Sequence, residues 1–419
     1  MNNFWNKELL AQIHVELSSY CNAACPMCPR YYQGSEIVRP DLELAQISFV
    51  QFKEWFKPEL VAKLNNFMFC GTVGDPMMAK DVFKIVDYIY ENNEKIYMTI
   101  NTNGGIRKES DWAQLGAISK KFGKRLRVIF SIDGLEDTNH LYRRNVEWET
   151  VMRNAKAYID SGGKAEWDFL IFKHNEHQIE EAGRLSKKMG FVNFVPKKAL
   201  GFEYYNGDLV RVAALGKEGD FQYWLEPPEE LDNRNYTKNR VLTDLLPEVN
   251  TSIITIYKKE VLEPHNKAVS DYNGETFLDQ PIDFTVSDNK TISCKSETWG
   301  GLREIYVSST GQIYPCCYMG TISGTTHNII ENLQLKKKIE DYGKDYFNLN
   351  KYSLEEIIEN NHLNLLYADS WDKTGNAKIM YCSKTCGEDS PIDRIWTHKD
   401  YPRPTKENYK DYKEKDDEF

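Results

Sequence analysis

Between residues 13 and 195, six short runs rich in β-branched and aromatic residues alternate with helical patterns, and this alternation limits the fold more than any other feature. The runs are Ile13–Leu17, Phe67–Cys70, Ile96–Asn101, Arg127–Ile132, Trp167–Phe172 and Phe191–Val195. Between them, Val82, Ile85, Val86 and Ile89 recur at i, i+3, i+4 and i+7, which is one face of a helix. Ile179, Ala182, Leu185 and Met189 do much the same. Strands that alternate with helices call for a parallel sheet, because each return to the sheet needs a crossover.

The first run leads into Cys21-Asn-Ala-Ala-Cys25-Pro-Met-Cys28, a CxxxCxxC pattern. Thiolates are soft ligands and the usual protein anchors of iron–sulfur clusters. Three of them on one short loop can hold three irons of a [4Fe–4S] cluster and leave the fourth open. No fourth cysteine is nearby. The next is Cys70, which sits in the apolar segment Asn66–Cys70 and is read as a buried core thiol. The triplet alone also permits a zinc site or a chance group of buried thiols.

Placed after a first strand, this triplet resembles the signature of the radical S-adenosylmethionine (SAM) enzymes. The resemblance implies an α/β fold, a partial (β/α)6 TIM barrel, with the chemistry at the C-terminal ends of the strands. It implies that SAM binds the open iron through its amino and carboxylate groups. It further implies that the reduced cluster cleaves SAM to methionine and a 5′-deoxyadenosyl radical, which takes a hydrogen atom from substrate. Gly71-Thr-Val-Gly74-Asp75-Pro76 resembles the family's GGE-type motif, which binds the SAM amino group. Gly74, Asp75 and Pro76 are assigned to it by that match. Asp75 is one methylene shorter than the usual Glu, and the alternative is an ordinary Gly/Asp/Pro turn.

Asn101-Thr-Asn-Gly104 closes the third run and resembles another element of the family, or a plain Asn-Gly turn. Ser131-Ile-Asp133-Gly134, followed by Asn139-His140 and Arg143-Arg144, resembles the SIDG…H..R segment of members with an auxiliary cluster. The match implies that Ser131 and Arg143 meet the carboxylate or ribose of SAM. Asn139 stands where a His is usual, His140 comes one residue late, and Arg144 is read as a solvated neighbour. Met27 departs from the aromatic often found before the third cysteine. In Lys173–Gln178, Asn175 and Gln178 are read as an N-cap and capping box, with His174 and His177 exposed or packed locally.

A second group, Cys294, Cys316, Cys382 and Cys386, surrounds a segment, Glu304–Tyr314, that reads as two strands about a Ser-Ser-Thr-Gly turn. It resembles the CX…GX4C hairpin of SPASM and twitch domains, which carry auxiliary [4Fe–4S] clusters. Five cysteines fall short of a full two-cluster set, so one auxiliary cluster is expected, with Cys317 as a bystander. Zinc on the same thiols is the alternative. The expected organisation is a radical SAM core over 1–200 and a linker or insertion over 201–290, read either as a lid or as a plain surface excursion. A small α+β SPASM/twitch-like auxiliary-cluster domain over 291–392 and a charged, disordered tail over 393–419 follow. Within the insertion, Ile253–Tyr257 reads as a short strand.

Composition narrows the function. The 419 residues carry a net charge of −10, which argues against a nucleic-acid partner. No apolar run is long enough to span a membrane, and the start lacks the pattern of a signal peptide. Nine cysteines without an export signal point to reduced thiols and a cytoplasmic location. The chain begins close to its first strand, which suggests no leader-binding domain. The expected activity is therefore radical SAM chemistry on a small metabolite, sugar or nucleotide-like substrate. An auxiliary cluster would favour an oxidative outcome, and a low-potential donor such as flavodoxin or ferredoxin would supply the electron. Maturation of a ribosomal peptide is the alternative, and a zinc-binding interaction protein is the alternative from another class.

Overall fold

A computed structural model describes residues 3–31, 34–39, 42–199, 202, 204–205, 208–209, 211–229, 291–294, 296–297, 301–322, 329–374 and 377–387. The six expected strands are β1 (Leu10–Val15), β2 (Asn66–Cys70), β3 (Tyr97–Thr102), β4 (Leu126–Ser131), β5 (Lys164–Ile171) and β6 (Asn193–Lys198). They lie side by side in chain order and all pair in parallel. The connecting helices are α1 (Phe49–Trp55), α2 (Pro58–Val61), α3 (Val82–Asn92), α4 (Glu109–Phe122), α5 (Asn139–Tyr142), α6 (Trp148–Asp160) and α7 (Ile179–Met189). Local chemistry marks their ends. Ser48 and Gln51 form a capping box that opens α1, and Gly190, in the left-handed region at φ 94°, closes α7.

The two faces of the sheet differ in chemistry, and this difference sets the architecture. Phe67 and Phe69 of β2 pack on Phe52 of α1. Phe130 of β4 packs on Trp112 of α4 and Tyr158 of α6. Trp167 of β5, level with Phe130, packs on Trp148 of α6. These residues share one side, because parallel neighbours in register point the same way. The other side carries Gln12, His14 and Glu16, then Cys70 and Asn101, then Ser131, Asp168 and Lys197. One apolar and one polar face is the pattern of a barrel-type winding, with helices outside and chemistry inside. Among the described residues the sheet stays open.

The C-terminal part begins inside this same sheet. Strands β7 (Tyr204–Tyr205) with β8 (Asp208–Leu209), and β9 (Val212–Leu215) with β10 (Phe221–Leu225), form two small hairpins after β6. Next, β11 (Arg303–Val307) pairs in parallel with β1, and β12 (Ile313–Tyr314) pairs back on β11. The result is one eight-stranded sheet in the order β12-β11-β1-β2-β3-β4-β5-β6. Short helices follow, among them Cys317–Ile322 and Met380–Cys386. The N-terminus is tied to them: the Trp5 amide donates to Asn364 Oδ1 at 2.9 Å, and Asn364 Nδ2 donates to the Trp5 carbonyl at 2.7 Å. No helix among the described residues is long and apolar enough to cross a membrane. The expected strand at Ile253–Tyr257 and the tail from 393 lie outside the described residues.

Candidate metal centre

Because β1 to β4 are parallel, the segments that leave their C-terminal ends meet at one end of the sheet. These are the cysteine loop after β1, the glycine loop after β2, Asn103 and Gly104 after β3 and Ile132–Arg143 after β4. The cysteine loop is held by its own turns and by its neighbours. The Cys28 amide donates to the Cys25 carbonyl at 3.0 Å, and the Tyr31 hydroxyl to the Ala23 carbonyl at 2.6 Å. Arg144, expected in solvent, is buried here instead. Its guanidinium donates to the carbonyls of Ala24 at 2.9 Å, Gly34 at 3.0 Å and Leu215 at 2.6 Å. The physical reason is that an irregular loop beside the end of a short strand leaves carbonyl lone pairs open, and one planar fork can reach three carbonyls, of which Gly34 also accepts from the Leu215 amide at 2.7 Å. The β9–β10 hairpin thereby lies against the cysteine loop. Gly34, at φ +72°, is needed there, since a Cβ would stand 1.7 Å from the Ala213 carbonyl oxygen.

Cys21, Cys25 and Cys28 feel one another electrostatically, so their thiols occupy one small region. Burial pushes Cys28 up to about 12 and raises Cys21 and Cys25 as well, while Arg143 pulls Cys25 back down. Two N–H donors aim at the sulfurs. Asn103 Nδ2 is 3.7 Å from Cys21 Sγ, and Arg143 Nη1 is 3.6 Å from Cys25 Sγ. Amide and guanidinium donors beside desolvated sulfurs suit thiolates that share charge with a cationic centre. The donor set therefore fits an iron–sulfur cluster. Among the described residues, no group of three or more His, Cys, Asp or Glu is drawn tightly enough to share a single metal ion.

The glycine loop is closely packed. A Cβ on Gly74 would stand 1.9 Å from the Ser18 carbonyl oxygen, so only glycine lets this loop touch the end of β1. The Asp75 carboxylate is already engaged. It accepts from the Met77 amide at 2.9 Å, the Asn103 amide at 2.9 Å and the Thr102 hydroxyl at 3.0 Å. Burial raises its pKa, against these donors. Asp75 thus joins the β2 and β3 loops, and Pro76 opens the short 3-10 turn that follows.

Ser131 ends β4, level with Asp168 on the inner face. Arg143 donates from Nε to Asp133 Oδ2 at 2.5 Å. Burial opposes its charge, but Asp133 and Cys25 outweigh this and hold the guanidinium firmly protonated. Asn139 is buried and accepts from the Asp133 amide at 2.9 Å, so it shapes the turn, whereas His140 is exposed. The expected capping box at Asn175 and Gln178 is not formed. Asn175 Nδ2 donates to the carbonyls of Asp133 and Leu170, both at 2.9 Å, and Gln178 binds the Leu135 amide at 3.0 Å. Both side chains serve the turn after β4, which needs them more than the exposed start of a helix does. His174 stacks on Phe172, and His177 is exposed. Cys70 is half-buried on the inner face rather than in the aromatic core, because the alternation of β2 sends Phe67 and Phe69 outward.

The second cysteine group also gathers. Cys382 and Cys386 lie one turn apart on the helix Met380–Cys386, and the Cys386 carbonyl accepts from the Ser293 amide at 2.9 Å. Cys294 feels Cys386, Cys316 feels its neighbour Cys317 and then Cys294 and Cys382, and Cys382 feels Cys294 and Cys386. Burial is the main cause of their raised pKa values, with Cys294 at about 12. Cys317 has different surroundings, being affected by Glu304 and Glu16, and it is the foremost charged neighbour of Cys70. Glu16 and Tyr306 are not singled out by the sequence, whereas Asn103 lies within the Asn101–Gly104 element and Arg144 reads there as solvated. The two available signals were a carboxylate at the end of an apolar strand run and a tyrosine one residue from the end of another.

Residues 15–185 match the family model described as Radical SAM superfamily. This segment is a radical SAM domain. Among solved structures, the chain is similar to SuiB of Streptococcus suis bound to S-adenosylmethionine, at 18% identity and a TM-score of 0.41. That match covers 74% of this chain and 60% of SuiB. It is similar to anSMEcpe with bound AdoMet at 16% identity and a TM-score of 0.46, covering 87% of this chain and 81% of that one. Methylornithine synthase (PylB) matches at 12% identity and a TM-score of 0.35, over 47% of this chain and 56% of that one. No curated protein sequence matches the chain.

Proposed function

We propose that this chain is a radical SAM enzyme whose N-terminal cluster is held by Cys21, Cys25 and Cys28. The observation that carries the reading is the pair of N–H donors, from Asn103 and Arg143, aimed at the sulfurs of Cys21 and Cys25 within the radical SAM domain. When bound, such a cluster supplies the electron that cleaves SAM and yields the 5′-deoxyadenosyl radical. The protein's own part is positional. Asn103 and Arg143 stabilise thiolate charge, Gly74 lets backbone approach the ligand, and Asp75 braces the loop that carries it. In this reading Ser131 and Arg143 meet the carboxylate or ribose end of SAM.

Cys294, Cys316, Cys382 and Cys386 are proposed to hold one auxiliary [4Fe–4S] cluster, with Cys317 outside it. A fully ligated cluster there favours electron relay and an oxidative outcome on a small polar substrate bound over the inner face. A flavodoxin- or ferredoxin-type donor, in a cytoplasmic setting, completes the reading.

The test is iron, sulfide and 5′-deoxyadenosine after anaerobic reconstitution and dithionite reduction. Wild type is expected to hold about eight irons and to form 5′-deoxyadenosine. A Cys21→Ala/Cys25→Ala/Cys28→Ala variant is expected to hold about four and to form none. Zinc in place of iron, with SAM left intact, would refute the proposal.

A further inference from the structure

Glu16 stands five residues before the first cysteine of the radical SAM loop and is 1% exposed. Its carboxylate is wrapped by the glycine loop. Oε1 accepts from the amides of Val73 at 3.1 Å and Gly74 at 2.8 Å, and Oε2 accepts from the Thr72 amide at 2.9 Å and from the Thr72 hydroxyl. Three successive amides that converge on one anion form a nest, and here the chain supplies its own anion. Each trans peptide points its carbonyl opposite to its N–H. The carbonyls of Gly71, Thr72 and Val73 are thus turned away from Glu16. The Val73 carbonyl accepts from Arg30 at 3.2 Å.

The remaining contact comes from far along the chain. The Tyr306 hydroxyl donates to Glu16 Oε2 at 2.6 Å and lies 2.8 Å from the Thr72 hydroxyl. Tyr306 belongs to β11, whose hairpin with β12 leads directly to Cys316. A Cβ on Gly320, within the helix that follows Cys316, would stand 2.2 Å from the Tyr306 ring. The Tyr306 ring is thus gripped by the second cysteine segment, while its hydroxyl reaches the loop beside the first. Burial, then the Glu16 charge, keeps that hydroxyl protonated and therefore a donor.

We infer that Glu16 is a positioning residue that presets the 72–74 loop for SAM, and that Tyr306 couples the shape of this loop to the seating of the second cysteine segment. The SAM part of this inference rests on the function proposed above. The loop part rests on geometry alone, and the experiment separates the two. Amide exchange at 72–74 and SAM binding to the anaerobically reconstituted protein are measured for wild type, Glu16→Gln and Tyr306→Phe. Tyr88→Phe serves as the control. It removes another buried hydroxyl bond, to the Phe56 carbonyl at 2.8 Å, remote from the loop.

Tyr306→Phe is expected to speed exchange at 72–74 and to weaken SAM binding about tenfold, the effect of losing one hydrogen bond to a charged group. Iron content should stay unchanged. Glu16→Gln should do more on both measures, and Tyr88→Phe should do neither. Exchange and SAM affinity within twofold of wild type in Tyr306→Phe would overturn the coupling, and the same result in Glu16→Gln would overturn the positioning role. Should Glu16→Gln fail to fold, Tyr306→Phe decides, since it keeps the ring and its packing. Wild type that binds no SAM, with exchange still sensitive to both variants, would overturn the proposed function and leave the brace standing.

Discussion

Single side chains in this protein do work that their immediate sequence context conceals. Arg144 follows Arg143 in the chain, but the two guanidinium groups serve different ends. One faces Asp133 and a thiol, while the other binds the carbonyls of Ala24, Gly34 and Leu215. Removing the second takes the guanidinium donor from the Ala24 and Leu215 carbonyls and leaves Gly34 with the Leu215 amide at 2.7 Å, so the link between the cysteine loop and the β9–β10 hairpin is weakened. Arg144→Ala is expected to cost roughly 2–4 kcal/mol in urea denaturation. Arg144→Lys should recover little, because a single ammonium cannot reproduce the fork. A loss below about 0.5 kcal/mol, the range of ordinary surface changes, would show that the contacts are incidental.

At the level of elements, β1 shows how one strand serves two chemistries. Ile13 and Val15 enter the core, while Gln12, His14 and Glu16 face inward. His14 is 2% exposed, donates from Nε2 to the Cys70 carbonyl at 2.8 Å and meets the Tyr306 ring edge-on at 4.9 Å. Burial lowers its pKa to about 4. The folded state then keeps His14 neutral at pH values where the unfolded chain takes up a proton, from about 6.5 downward. Stability is therefore lost as pH falls from about 6.5 to about 4, by at most roughly 3 kcal/mol from this group. The stability advantage of wild type over His14→Gln should shrink between about pH 7.5 and about pH 5. A constant difference across that range would show that His14 does not carry the effect. The existence and order of all six core strands were legible, because their apolar runs and the intervening helical period are local signals. The small hairpins after β6 were not, since short strands without clean alternation look like loop.

The whole molecule brings two cysteine groups into one body. The parallel β1–β11 pairing joins residues nearly three hundred positions apart in sequence, and Asn364 fastens the N-terminal segment to the C-terminal helices. Cys316 of the second thiol group therefore follows directly on a strand at the edge of the core sheet. If the two groups bind clusters independently, Cys382→Ser should lower reconstituted iron by about four per chain and still allow 5′-deoxyadenosine to form. Unchanged iron would remove Cys382 from the ligand set, and loss of the N-terminal cluster as well would point to a collapse of the shared sheet.

Motif spacing and hydrophobic period sufficed to identify the α/β core and to put Cys21, Cys25 and Cys28 on the loop that follows β1, because each depends on residues close together in the chain. The roles of Glu16, Tyr306, Arg144 and Asn103 were settled only in three dimensions. Each acts by presenting a donor or acceptor to a loop whose own polar groups have no regular partner, and no local pattern records which distant side chain will fill that need.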